Sequence, residues 1–168
     1  LFYDFIRILE AKQPKFFLAE NVSGMLISKH TEALEGIKEL FRNAGIGYEL
    51  SFQMLNASDY NVPQDRKRVF FIGIRKDLDF KYQFPTETFP KITLESAISD
   101  LKEGVLPALE YNNTNGENCV LPNHEYMIGS FSSIFMSRNR VRSWDEQSYT
   151  IQAGGRHAPI HPQAPKMK

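Results

Sequence analysis

Apolar residues recur at helical spacing over residues 1–10, where Phe2, Phe5, Ile6 and Leu9 share one face. That spacing predicts an amphipathic helix, ended by Lys12-Gln13-Pro14. A continuous apolar run over residues 15–19 predicts a buried strand. Leu34, Ile37, Phe41 and Ala44 repeat the helical spacing over residues 31–44. Thr31 is the expected N-cap of this second helix and Gly45 its C-terminal glycine. Tyr48 to Asn56 reads as a strand, and residues 69–74 form a second continuous apolar strand. The order helix, strand, helix, strand, turn, strand is that of an α/β protein.

The pattern changes after Asp77. Residues 80–90 carry two prolines and few aliphatics and read as a linker. Residues 94–101 predict a short helix. Beyond it, Pro107, Asn112-Asn113, Asn115-Gly116, Pro122-Asn123 and Gly154-Gly155 are turn signals without helical period. Residues 105–168 are therefore expected to be loop-rich with short strands.

Composition narrows the class. With 42% hydrophobic and 24% charged residues, the 168-residue chain is an ordinary globular sequence. No apolar run reaches the ~20 residues of a membrane span. One cysteine, Cys119, leaves no internal disulfide and suits a reducing compartment. Net charge is zero but uneven. Residues 134–168 hold six Lys/Arg against two acids, a net of +4, and Arg66, Lys67, Arg68, Arg75 and Lys76 cluster against Asp65 and Asp77. Two basic patches in a neutral chain fit an anionic partner such as nucleic acid, or two solvated surfaces.

Several residue sets carry possible chemistry. In Phe16-Phe17-Leu18-Ala19-Glu20-Asn21-Val22 an apolar run ends in a carboxylate and an amide. Open α/β sheets bind ligands beyond the carboxyl ends of their strands. A carboxyl group placed there can donate to a ring nitrogen when protonated and accept from an exocyclic amine, as a pyrimidine would require. It can equally be a cap or an ion-pair partner. In Gln64-Asp65-Arg66-Lys67-Arg68, Arg66 and Arg68 alternate, so an extended backbone points them the same way, toward a phosphate or base carbonyl or toward solvent. Arg138, Arg140 and Arg142 alternate likewise, and Arg156 follows Gly154-Gly155. Such a ladder can read guanines in a major groove or form surface ion pairs. Cys119 has no neighbouring base and is not a nucleophile. His157 and His161 are four apart, but Pro159 denies them one helix face, so no metal is expected.

Taken together, these motifs resemble the DNA (cytosine-5) methyltransferase family. Glu20-Asn21-Val22 is similar to its Glu-Asn-Val motif and Gln64-Asp65-Arg66-Lys67-Arg68 to its Gln-x-Arg-x-Arg motif, in order and spacing. Ser137-Arg138-Asn139-Arg140-Val141-Arg142-Ser143-Trp144, followed by Tyr149-Thr150-Ile151-Gln152-Ala153, resembles bacterial methylases that modify GGCC. Asn61 stands where a glycine is common, and Asn tolerates the left-handed backbone such a turn needs.

The resemblance implies the C-terminal part of a Rossmann-like methyltransferase sheet in residues 1–85. It implies a loop-rich, mostly β target-recognition domain in residues 86–168. It implies an S-adenosylmethionine-dependent enzyme acting on double-stranded DNA, a monomer in the bacterial cytoplasm. The cofactor loop and the Pro-Cys nucleophile are expected outside this sequence, which is then a piece of a longer protein. In that scheme the target cytosine is flipped out and a cysteine attacks C6. Glu20 holds N3 and the 4-amino group, Arg68 contacts the base O2 or its phosphate, and Arg66 supports Glu20 or the backbone. Asn21 and Gln64 join the DNA-binding set. Arg138, Arg140 and Arg156 read guanines, Thr150 lies near the DNA backbone, and Arg142 serves backbone contact or packing. The alternatives are a tRNA cytosine-5 methyltransferase relative and a catalytically inactive DNA-binding fragment.

Overall fold

The computed structural model of the chain describes residues 2–27, 30–88, 90–129, 141–151 and 161–165. These form two compact units. The first comprises Leu1–Asn56 and Lys67–Glu87, and the second Ala57–Arg66 and Thr88–Lys168.

In the first unit, helix α1 (Phe2–Lys12) leads into strand β1 (Phe16–Val22), helix α2 (Thr31–Asn43), strand β2 (Tyr48–Asn56) and, after an excursion into the second unit, the long strand β4 (Lys67–Arg75). The sheet order is β1-β4-β2, with both pairs antiparallel. The apolar stripes that predict the helices are the ones buried. Ile6 and Leu9 of α1, and Leu34 and Phe41 of α2, close over Phe17, Tyr48, Val69 and Phe71 of the sheet. The rings of Phe5, Phe17, Phe41, Tyr48 and Phe71 form a continuous aromatic cluster, mostly edge-on or tilted, as ring quadrupoles favour. Gly73 faces Phe17 in the β1–β4 register, and the missing side chain leaves room for that ring against the strand.

Two local expectations change. β1 is not a buried strand: only Phe17 is buried, while Phe16, Leu18 and Val22 are exposed, because β1 is at the sheet edge and β4 takes the centre. Thr31 does not cap α2. His30 holds the cap position without a side-chain bond, since its own N–H continues a turn onto Ile27 O. The helix ends as predicted, with Gly45 at φ +60°. A Cβ there would strike the Gln13 side chain, which bonds Leu9 O and Ile46 N and so ties the end of α1 to the start of the β2 approach.

The second unit has little regular structure. Strand β3 (Gln64–Asp65) pairs in parallel with β7 (Ser148–Tyr149), and β5 (Leu106–Pro107) with β6 (Glu125–Tyr126). Helix α3 (Leu94–Ile98) is capped by Thr93, whose hydroxyl accepts from Ser96 N. Asn61 sits at φ +60°, and its side-chain oxygen accepts from the Thr88 hydroxyl, so the asparagine both fits the turn and fastens it. Among the described residues no helix is long and apolar enough to cross a membrane.

Candidate active site

Glu20 and Arg68 come together on one face of the first unit's sheet. The antiparallel register sets Glu20 opposite Phe70 and Val22 opposite Arg68, so Glu20 and Arg68 are diagonal neighbours. Long side chains span that diagonal. Arg68 Nε lies 2.9 Å from Glu20 Oε1, with the arginine side chain mostly covered and the glutamate half exposed. Arg68 Nη1 also donates to Lys67 O, which fixes the fork. A half-exposed carboxylate held by a mostly covered guanidinium is presented partly outward from the sheet. Asn21 turns its Oδ1 onto Val22 N and stiffens the strand end. A cavity of about 310 Å³, lined by Phe2, Phe5, Ile8, Leu18, Glu20 and Asn21 among others, opens beside them. Its size is at the lower end for small-ligand sites, and its apolar walls with a carboxylate and an amide at one side suit a flat polar ring.

The second unit gathers a different set. Gln64 lies on β3 opposite Ser148, and Ser148 N donates to Pro63 O. The Thr150 hydroxyl donates to Asp65 O at 2.7 Å, which commits its single proton. Arg142 is bound inside the unit: Nη2 donates to Asp65 Oδ2 at 3.0 Å and Nη1 to Glu146 Oε1 at 2.7 Å, and the guanidinium lies 4.1 Å from the Tyr149 ring centre. Glu146 accepts from both the backbone N–H and the hydroxyl of Ser143. Those two bonds, then Arg142, hold its carboxyl down to about 2. Asp65 and Glu146 were not singled out by sequence reasoning. The Arg142–Glu146 spacing of one helical turn was a signal available for one of them; nothing local marks Asp65.

Arg66 has its carbonyl bonded by Ala57 N, at the break between β3 and β4 where the chain passes from the second unit to the first. The Arg68 guanidinium meets Glu20. Arg138, Arg140 and Arg156 lie outside the described residues. Cys119 donates its thiol toward the carbonyls of Asn115 and His124. His161 stands against His124 and Trp144, whereas His157 falls outside the described residues. Among the described residues no group of three or more His, Cys, Asp or Glu side chains could hold a metal.

The chain belongs to the C-5 cytosine-specific DNA methylase family, whose model matches residues 1–168. It is 56% identical over 166 residues to the type II methyltransferase M.MthTI of Methanothermobacter thermautotrophicus, covering 99% of this chain and 49% of that protein. It is 54% identical over 172 residues to M.NgoPII of Neisseria gonorrhoeae, covering 100% of this chain and 49% of that protein. The chain thus spans about half the length of these curated relatives. Its fold matches that of a DNA modification methyltransferase encoded within an E. coli prophage, with a TM-score of 0.58 at 21% identity, covering 94% of this chain and 57% of the other. It also matches the Dnmt2 methyltransferase of S. pombe, with a TM-score of 0.53 at 18% identity, covering 94% and 46%.

Proposed function

We propose that the full-length protein is a DNA (cytosine-5) methyltransferase of a restriction–modification system, acting on a flipped cytosine in GGCC. The observation that carries this is the Glu20–Arg68 pair at the end of β1, in a chain that belongs to the cytosine-5 methylase family along its whole length. Residues 1–85 are the part of the catalytic domain that completes its Rossmann-like sheet. Residues 86–168 are the target-recognition domain. Double-stranded DNA is the partner, met by a cytoplasmic monomer. The likeness of residues 137–144 and 149–153 to GGCC methylases supports the target sequence.

In this reading Glu20, as a carboxylate, accepts from the cytosine 4-amino group while Arg68 holds its other side. As a carboxylic acid it donates to N3, where negative charge gathers when a nucleophile adds to C6. Arg68, already beside that edge, is placed for the base O2 or the adjoining phosphate. Arg66, Gln64, Asn21 and Thr150 keep the DNA-binding roles that the resemblance implies. For Thr150 a phosphate contact requires its proton to leave Asp65 O. S-adenosylmethionine supplies the methyl group. The proposal places its glycine-rich binding loop outside this sequence, in the full-length protein.

The test is Glu20→Gln in the full-length enzyme. Losing the proton-handling group should cut methyl transfer by about 10² or more while DNA affinity persists. Tritium transfer and gel-shift affinity measured side by side check it; wild-type turnover would sink the assignment.

A further inference from the structure

Arg142 continues the alternation of Arg138 and Arg140, yet it is built into the second unit instead of being presented from it. Its side chain is only 24% exposed. Its Nε is buried with no acceptor among the described residues. Its terminal nitrogens go to two carboxylates, Asp65 and Glu146, and its face to Tyr149. Two carboxylates and a ring already hold the guanidinium, so a phosphate or a guanine edge would have to compete with two ionic acceptors.

The two carboxylates belong to different stretches of chain. Glu146 closes the turn at Ser143, and its backbone carbonyl takes Leu94 N. The next bonds are Glu95 N to Trp144 O and Gln147 Nε2 to Ile92 O. Asp65 sits on β3, zipped to residues 148–150 by the parallel pairing and by the Thr150 hydroxyl. One guanidinium therefore joins the 63–65 segment to the 143–150 segment, which is in turn fastened to residues 92–95.

We propose that Arg142, Asp65 and Glu146 form an ionic latch that sets the base of the recognition segment, and that they are positioning residues and not DNA contacts. The proposal rests on the reading above, in which Arg138 and Arg140 meet bases. Arg140 directly precedes Val141 and Arg138 lies two residues before Arg140, so the anchoring of Arg142 fixes where the chain that carries them is rooted. Asp65 also stands inside the Gln64–Arg68 motif, three residues before the arginine that holds Glu20. The latch thus ties the root of base recognition to the motif that serves the target cytosine. Desolvated, fork-geometry arginine pairs hold such a register more tightly than a lysine would.

The experiment uses the full-length enzyme with its cognate duplex, mapped first on the wild type, and duplexes with one altered base pair. Asp65→Ala, Arg142→Ala and the double variant are compared for methyl transfer, and for DNA binding across a salt series. Each single substitution should lower the cognate-to-altered ratio of kcat/KM about tenfold, and the double variant no further than the worse single, as expected for groups acting as a unit. The salt slope should stay at the wild-type value. Asp65→Asn, which keeps an acceptor for Nη2, should restore part of the ratio. A substitution that merely unfolds some of the enzyme lowers both duplexes in proportion and leaves the ratio unmoved, which would overturn the latch. So would losses that multiply in the double variant, or a salt slope that falls by about one in Arg142→Ala, the mark of a phosphate contact. If Arg142→Ala yields no folded enzyme, Asp65→Asn, Glu146→Gln and their double variant carry the same ratio and coupling test. Equal losses on every duplex in Arg138→Ala and Arg140→Ala would instead remove the base-reading proposal. In that case the coupling of Asp65 and Arg142 in cognate kcat/KM still decides the latch.

Discussion

Gly73 shows how one absent atom shapes the first unit. A Cβ built there would lie 2.1 Å from Cε1 of Phe17, far inside contact distance, and Phe17 is itself wedged against Phe5, Phe41 and Tyr48. The ring has nowhere to retreat in a close-packed core. Gly73→Ala should therefore destabilise the protein by about 1–3 kcal/mol, the usual penalty of overpacking. Urea unfolding read by tyrosine and tryptophan fluorescence checks it, and an unmoved midpoint would mean that the aromatic cluster is looser than it looks. At this scale the sequence was readable where chemistry is local. Glu20-Asn21 announces itself as a polar end to an apolar run, and Asn61 as a residue suited to a left-handed turn. Partnerships were not readable. Arg66 and Arg68 look alike in the chain, and it is the β1–β4 register that sets Arg68 diagonal to Glu20. Asp65 and Arg142 meet across a long sequence separation that no local pattern encodes.

Among the elements, the helices and the two long strands of the first unit follow from periodicity alone, because their burial and their hydrophobic spacing coincide. The burial of β1 does not follow, since apolar content cannot tell a central strand from an edge strand. In the second unit, short turns replace long elements and individual side chains do the fastening. The turn Ser99–Leu101 is one such place. Leu101 O accepts from Nε2 of both His124, at 2.8 Å, and His161, at 3.3 Å, while Nδ1 of His161 accepts from Gln163 N. Neutral His161 is thus satisfied at both nitrogens, with His124, Tyr126 and Trp144 against it. Burial, with His124 adding to it, holds its pKa below the ordinary 6.5, so the folded chain binds that proton less readily than the unfolded one. Its contribution to stability is complete above about 6.5 and is lost as pH falls from there toward the depressed folded value. Thermal unfolding should show a midpoint that drops on acidification below about pH 6.5, with a shallower drop in His161→Phe. Identical pH slopes in the two proteins would remove His161 from the account.

For the whole molecule, motif order pointed to the right family. The division of the chain was less legible. Residues 56–64 read as a polar turn, yet residues 57–66 belong with the second unit, through bonds such as Thr88 N to Asp59 O and the 2.6 Å ion pair of Lys91 with Asp59. Such an excursion leaves no trace in hydrophobicity, because its contacts are polar and distant in sequence.

β1 is hydrogen-bonded to β4 along its full length and has no second strand partner among the described residues. Its sequence is apolar, carries one charge and contains no proline. Proteins usually blunt such an edge with lysine, proline or a covering loop. Here Phe16, Leu18 and Val22 stand 66%, 55% and 57% exposed along it. A chain of this length made by itself therefore carries its own seed for amyloid-like assembly, one copy adding its β1 to the next. At high concentration it should develop thioflavin fluorescence after a lag that shortens with concentration, and Leu18→Lys should lengthen that lag. A wild-type solution that stays clear and dye-silent over the same range would show that the edge is already guarded.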